Sequence, residues 1–311
     1  MNTRHNPASF VAAAAVLLMA IMFYDVMGAI IKHLSQRYPT PQLAMFRNVF
    51  GLIPSLLILF WSQSWIQAGR PVVIRQWRLA FIRGGLGVFA QLSFYLSLLH
   101  LEFATATTIL FSGPLFLTAL SIPFLGHRVG PWRWLAVVIG FTGVVLVMGP
   151  TAQSFTWYAI LPLCAAFGFA CTGVTTPLFD KTVPTALINL YYNSGSLIGS
   201  TALVILTDSF VQIGTLEDWM WLAAMGMAGG VAAYCMTTAY RLAEPSSLSP
   251  FEYFGIPSSF FLGWVFFSEA PFDRLIPGAF LIVGGGLVIM WREHSLKRGG
   301  RSGQALQGAS S

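Results

Sequence analysis

Three ionisable residues lie deep inside apolar stretches of this chain: Asp25, Arg47 and Glu252. An Asp or Arg at the centre of a membrane helix costs about 2.5 to 3.5 kcal/mol on insertion scales, so such a group normally faces a partner or a wet cavity. Asp25 stands ~8 residues before the end of its apolar run and Arg47 ~6 residues after the start of the next, which puts them ~12 and ~9 Å from the same surface. An Asp25 to Arg47 ion pair is feasible. It would be either a fixed tie between two helices or a pair in which one member releases the other to bind substrate or a proton. Glu252 sits three residues before Gly255, with Tyr253 beside it. A membrane carboxyl group that takes and releases a proton suits a coupling role; the other reading is an acid near the surface in contact with Arg241.

Around these charges lie hydroxyls, amides and rings: Tyr24, Gln91, Tyr95, Thr105, Thr108, Thr172, Thr176, Asn189, Tyr192, Asn193, Tyr234 and Thr238. Small and hydroxyl residues also serve helix packing. Gln91 with Tyr95, and Asn189 with Asn193, are each four apart and so present polar stripes on one helical face. Ser112-Gly113-Pro114 and Gly255-Ile256-Pro257 are interruptions of the kind that frees backbone groups to face a cavity. Enzyme signatures are missing. The sequence has no H-E-x-x-H, no G-x-S-x-G and no phosphate-cradling G-x-x-x-x-G-K-[ST]. All five histidines lie at or beyond the ends of apolar runs, so no metal cluster or cofactor site is implied at depth.

The elements that must position these residues follow from composition. Of 311 residues, 56% are hydrophobic and only 9% charged, against about 25% charged in soluble domains. The fold class is therefore all-α: a polytopic membrane protein embedded in a lipid bilayer. Ten spans are expected, near 10–33, 41–61, 79–99, 103–124, 132–149, 157–178, 185–206, 218–240, 247–268 and 273–291. The first run continues past Asp25 without a cleavage-site pattern, so it reads as a retained helix. With the amino terminus inside, thirteen Lys and Arg fall on the cytoplasmic side, Arg83 among them, against Lys32, Arg37 and Arg274 outside and Arg47 in the membrane. Both termini are thus expected in the cytoplasm. The net charge of +6 reads as topology and not as a nucleic-acid stripe. Cys164, Cys171 and Cys235 sit in apolar runs and read as packing residues. Six tryptophans near span ends form an aromatic belt, and the Gly, Ser and Arg-rich tail has nothing to bury.

The two halves echo each other. A shift of 145 lays Gly28 on Gly173, Pro39-Thr40 on Pro184-Thr185 and Asn48 on Asn193; a shift of 142 lays Gly113 on Gly255 and Gly143 on Gly285. Five spans per copy force the second copy to enter from the opposite side, an inverted 5+5 repeat with residues 1–149 as one unit, 150–292 as the other and 293–311 as a disordered tail.

Ten spans, both ends inside and this repeat resemble the drug/metabolite transporter superfamily, and most of all its EamA-domain branch. The residues that carry the likeness are Met45-Phe46-Arg47-Asn48, Glu102-Phe103-Ala104-Thr105-Ala106, Glu244-Pro245-Ser246-Ser247-Leu248 and Phe267-Ser268-Glu269. The first half departs from the last pattern with Gly126-His127. The resemblance implies alternating access around a cavity built from spans 1, 3, 4, 6, 8 and 9, with 5 and 10 peripheral. On that implication Tyr24, Asp25, Gln91, Tyr95, Thr108, Thr172, Tyr234 and Glu252 are lining residues, and Arg47, Gly113, Asn193 and Gly255 join them from the reading of the residues themselves. The expected function is secondary transport of a small metabolite across a bacterial inner membrane, proton-coupled or by exchange, with no cofactor and no nucleic-acid partner; association as a homodimer is left open. Facilitative export of aromatic or amphipathic compounds without ion coupling is the alternative. A membrane-embedded enzyme or scaffold is disfavoured by the absence of a catalytic cluster.

Overall fold

The computed structural model describes residues 7–67, 69, 72–98, 100, 106, 109–126, 130–148, 157–255, 258, 261, 262, 265, 280 and 281. Among these the regular elements are all helical. Eight longer α-helices fall within or close to the first eight expected spans, the fourth covering only the second part of its span: α1 (Pro7–Leu34), α2 (Thr40–Phe60), α3 (Trp77–Leu98), α4 (Gly113–Leu125), α5 (Pro131–Met148), α6 (Ile160–Thr175), α7 (Thr185–Leu206) and α8 (Leu216–Leu242). Five helical stretches are long and apolar enough to cross a membrane: Phe10–Leu34, Thr40–Phe60, Trp77–Ser97, Trp157–Leu178 and Leu216–Leu242. Of span 9 the structure gives a 3-10 helix, Ser249–Phe254, followed by α-helical backbone at Gly255 and Ser258. Most of span 10 and the tail lie outside the described residues.

Proline sets two of the boundaries. α2 and α7 each start at a Thr directly after a Pro in extended conformation, Pro39 (φ −62°, ψ 143°) and Pro184 (φ −60°, ψ 138°), because the fixed φ of proline suits the residue before a helix and its missing N–H costs nothing there. These are the positions that the shift of 145 superposes. The interruption at Ser112-Gly113-Pro114 is also a helix start, since α4 begins at Gly113 with Pro114 at N2, as α-helical backbone resumes at Gly255 after the 3-10 turn.

The helices pack as a ring. In order around it, α1 touches α8, α8 touches α2, α2 touches α7, α7 touches α3, α3 touches α6 and α6 touches α4; residues 249–254 then contact both α4 and α1 and complete the circuit. α5 packs outside, on α4 and on residues 249–254. The crossing of α2 on α8 depends on glycine: a Cβ at Gly230 would lie within 3.0 Å of Gly51 Cα, and one at Gly226 would collide with Phe50. In a membrane, where apolar side chains gain little by leaving lipid, close backbone approach of this kind supplies the packing.

Polar ties fasten both ends of the ring. On the face where α1 ends and α8 begins, Asp218 accepts hydrogen bonds from Arg37 Nη1 at 2.8 Å, Tyr38 OH at 2.9 Å and Thr215 Oγ1 at 2.8 Å, while its own N–H donates to Thr215 Oγ1. Burial and the bond to Asp218 push the Tyr38 phenol above its ordinary value. On the opposite face Arg241 donates to the carbonyls of Val183 and Asp180 and to Thr185 Oγ1. Arg241 is therefore committed to the α6–α7 connection and not to Glu252.

Candidate functional site

The ring encloses a cavity of about 410 Å³, within the range in which small-molecule sites fall. Its wall is drawn from α1 (Tyr24, Asp25, Gly28), α2 (Arg47), α3 (Arg83, Gln91, Phe94, Tyr95), α4 and the turn before it (Phe111, Gly113, Leu117), α6 (Phe169, Thr172), α7 (Asn189, Tyr192), α8 (Met236, Thr237, Tyr240) and the segment bearing Glu252 and Gly255. α5 contributes no lining residue among those described.

One side of the wall is basic. Arg47, 7% exposed, donates from Nη1 to Asn48 Oδ1 at 2.9 Å, and the Asn48 amide in turn donates to Gln91 Oε1 and Ser200 Oγ, both at 3.2 Å. Gln91 continues the chain to Tyr95 OH at 3.2 Å. Arg83, 6% exposed, ties three helices together: its Nε donates to the Thr172 carbonyl and its Nη2 to Thr176 Oγ1, each at 3.1 Å, with Thr237 Oγ1 at 3.5 Å. Its guanidinium also stacks over the Tyr192 ring, 5.3 Å from the centroid, a favourable place for a cation. Gly87 makes that stacking feasible, because a Cβ there would run into the Tyr192 ring.

The other side is acidic. Ser258 Oγ donates to Asp25 Oδ2, and Gly255 lies beside that carboxylate, where a Cβ would press on Ile21 at 3.2 Å. Tyr240 OH donates to Glu252 Oε1 at 2.5 Å. No ion pair among the described residues joins either carboxylate to either guanidinium, whereas Arg37 and Asp218 form one elsewhere. The feasible Asp25 to Arg47 tie is thus not made. Each of the two has a neutral partner on its own side of the ring.

Of the residues singled out in the sequence, Tyr24, Asp25, Arg47, Gln91, Tyr95, Gly113, Thr172, Glu252 and Gly255 come together around this one space. Asn193 does not: it is 1% exposed and donates to the Gly51 carbonyl at 3.3 Å, bracing α7 against α2. Tyr234 packs instead on the buried cluster around Ala186 and Leu187. Thr108, with Thr105, lies outside the described residues. Arg83 is the main correction, because counting it among the cytoplasmic basic residues treated the first turns of α3 as surface. A signal for it was present: Arg83, Gly87, Gln91 and Tyr95 recur every four residues, one continuous helical stripe. Tyr240, the partner of Glu252, carried no such mark.

Comparison with known proteins places this architecture. Residues 11–149 match the EamA-like transporter family. A riboflavin transporter of Brucella anthropi is 27% identical over 79% of this chain and 91% of its own length. An S-adenosylmethionine uptake transporter of Rickettsia bellii is 25% identical over 86% of this chain and 89% of its own length. A pseudopaline exporter of Pseudomonas aeruginosa is 25% identical over 86% and 91% respectively. A solved crystal structure superposes with a TM-score of 0.77 at 20% identity, covering 92% of this chain and 99% of that one, which establishes a shared fold. The resemblance to EamA-domain transporters is borne out, and the relatives support a multi-pass membrane transporter acting on small molecules.

Proposed function

We propose, from the premise that residues 11–149 match the EamA-like transporter family, that the chain is a secondary transporter moving a small metabolite across a bacterial inner membrane by alternating access. The observation that carries this reading is the cavity itself: a space of about 410 Å³ enclosed by seven helices and the segment after α8, with two carboxyl and two guanidinium side chains on its wall. Such charges are costly in a membrane and are retained where they face a substrate or ion pathway. The matched starts of α2 with α7, and of α4 with the helix resuming at Gly255, favour two five-span repeats of opposite orientation, whose rocking would expose the cavity to either side. Relatives named for uptake and for export leave the direction to the driving gradient.

Glu252 is the coupling group in this reading, because its carboxyl group lines the cavity and its bond to Tyr240 leaves the second oxygen free to exchange a proton. Purified protein in liposomes should show saturable flux of a metabolite that responds to an imposed pH gradient, and Glu252→Gln should abolish that response while the protein stays folded. An unchanged response removes Glu252 from coupling. The apolar wall residues Phe94, Phe111, Phe169 and Met236 favour a second reading, facilitated movement of aromatic or amphipathic compounds; it requires that wild-type flux ignore the pH gradient.

A further inference from the structure

We propose that the cavity takes a dipolar metabolite, with an oxyanion against the Arg47 and Arg83 wall and, at the far end of the same molecule, a cationic nitrogen against the Asp25 and Glu252 wall. The inference deepens the transport reading and rests on it for the fate of the bound molecule, though not for binding.

Ring order is the first support. α2, α7 and α3 form one arc and carry Arg47, Asn189 and Arg83; α1 and residues 249–254 form the arc facing it and carry Asp25 and Glu252. α8 separates the arcs on one side, α4 and α6 on the other, so opposite charges that would neutralise one another are kept apart by the packing. The second support is unfilled bonding capacity. Arg83 Nη1 and Asn189 Nδ2 are buried donors of lining residues and have no hydrogen-bond partner in the protein, although Arg83 is 6% and Asn189 1% exposed. Both belong to the basic arc and lie just behind the cavity surface, so a side-chain rotation would bring each to an acceptor oxygen of the ligand. A guanidinium offers five donors, whereas the protein partners of Arg83 are a carbonyl and two hydroxyls.

Across the cavity the logic reverses. Asp25 and Glu252 are each met by one neutral hydroxyl, from Ser258 and Tyr240, while an ionised carboxylate has about four lone-pair sites to fill. A buried charge with neutral partners alone is expensive, and a ligand that brings the complementary charge recovers much of that cost. A monoanion would satisfy one arc and leave the other bare; a monocation would do the reverse. Between the arcs Phe111 and Phe169, with Phe94 on α3 beside them, offer apolar surface for an aromatic or aliphatic body.

Calorimetric titration of the full chain in detergent, with two matched triplets, tests this. One is para-(aminomethyl)benzoate, benzylamine and para-toluate; the other is ε-aminocaproate, hexylamine and caproate. In at least one triplet the dipolar member should bind tenfold or more tighter than both singly charged members. Arg47→Gln should erase its advantage over the amine, Asp25→Asn its advantage over the carboxylate, and Arg47→Lys, which keeps the charge, should retain most of the preference. Singly charged members binding as tightly as the dipolar ones, or no dipolar probe binding at all, would overturn the proposal. Flux of a dipolar binder into liposomes then tests transport by itself: binding without flux sinks the transport reading and leaves the dipolar site standing.

Discussion

The molecule contains two groups of charge treated in opposite ways. At the face where α1 meets α8, Asp218 collects Arg37, Tyr38 and Thr215 within 2.9 Å, so acid and base neutralise each other directly. In the cavity, Arg47 and Arg83 stand across from Asp25 and Glu252 with neutral neighbours on each side. The first arrangement is complete without anything added and reads as a fastening between loop and helix. The second has no ion pair across it among the described residues, and that asymmetry is what the proposed dipolar site rests on.

The sharpest way to break this contrast is to remove a cavity charge. Arg83→Leu should lower transport rates at least about a hundredfold, since deleting one buried charged partner costs roughly 3 to 5 kcal/mol, measured as initial flux in liposomes of matched protein content. A variant that keeps more than a tenth of the wild-type rate would move Arg83 from the site to the scaffold. A packing change isolates stability from charge. Gly230→Leu should drive α8 off α2 and cost about 1 to 3 kcal/mol, as overpacking does where the opposing atoms are backbone. Its signature is a lower melting temperature with the ligand preference of the surviving protein unchanged; a changed preference would tie the glycine crossing to the cavity. The smallest effect is expected at the paired face. Arg37 is 48% exposed, so Arg37→Ala should leave flux intact and lower thermal stability only slightly, by an amount that shrinks as salt is added. A large loss of flux there would erase the distinction between the two regions.

Much of the scaffold was legible in the chain. Apolar run length and proline placed α2 and α7 to within a residue or two at their starts, and the glycine and proline at 112–114, expected as an interruption within the span 103–124, fall where α4 begins. The lining role of Gln91 with Tyr95 followed from their spacing. Asn193 and Tyr234 did not follow, because helical periodicity says which residues share a face but not whether that face meets a cavity or a neighbouring helix. Arg83 was misplaced for a related reason: six residues into a helix, an arginine can reach the surface along its flexible stem or turn inward, and sequence depth does not distinguish the two.

What the sequence determined by itself is the membrane class, the order of the helices and the family likeness, since these depend on local composition and on spacing along one chain. What the tertiary structure alone decided is which charges meet. Arg37 finds Asp218 from 181 residues away, and Asp25 finds Ser258 from 233 away, while Asp25 and Arg47, close in sequence and matched in depth, stay unpaired. The energy of a buried charge is set by the atoms around it, and those atoms arrive only when the ring of helices closes.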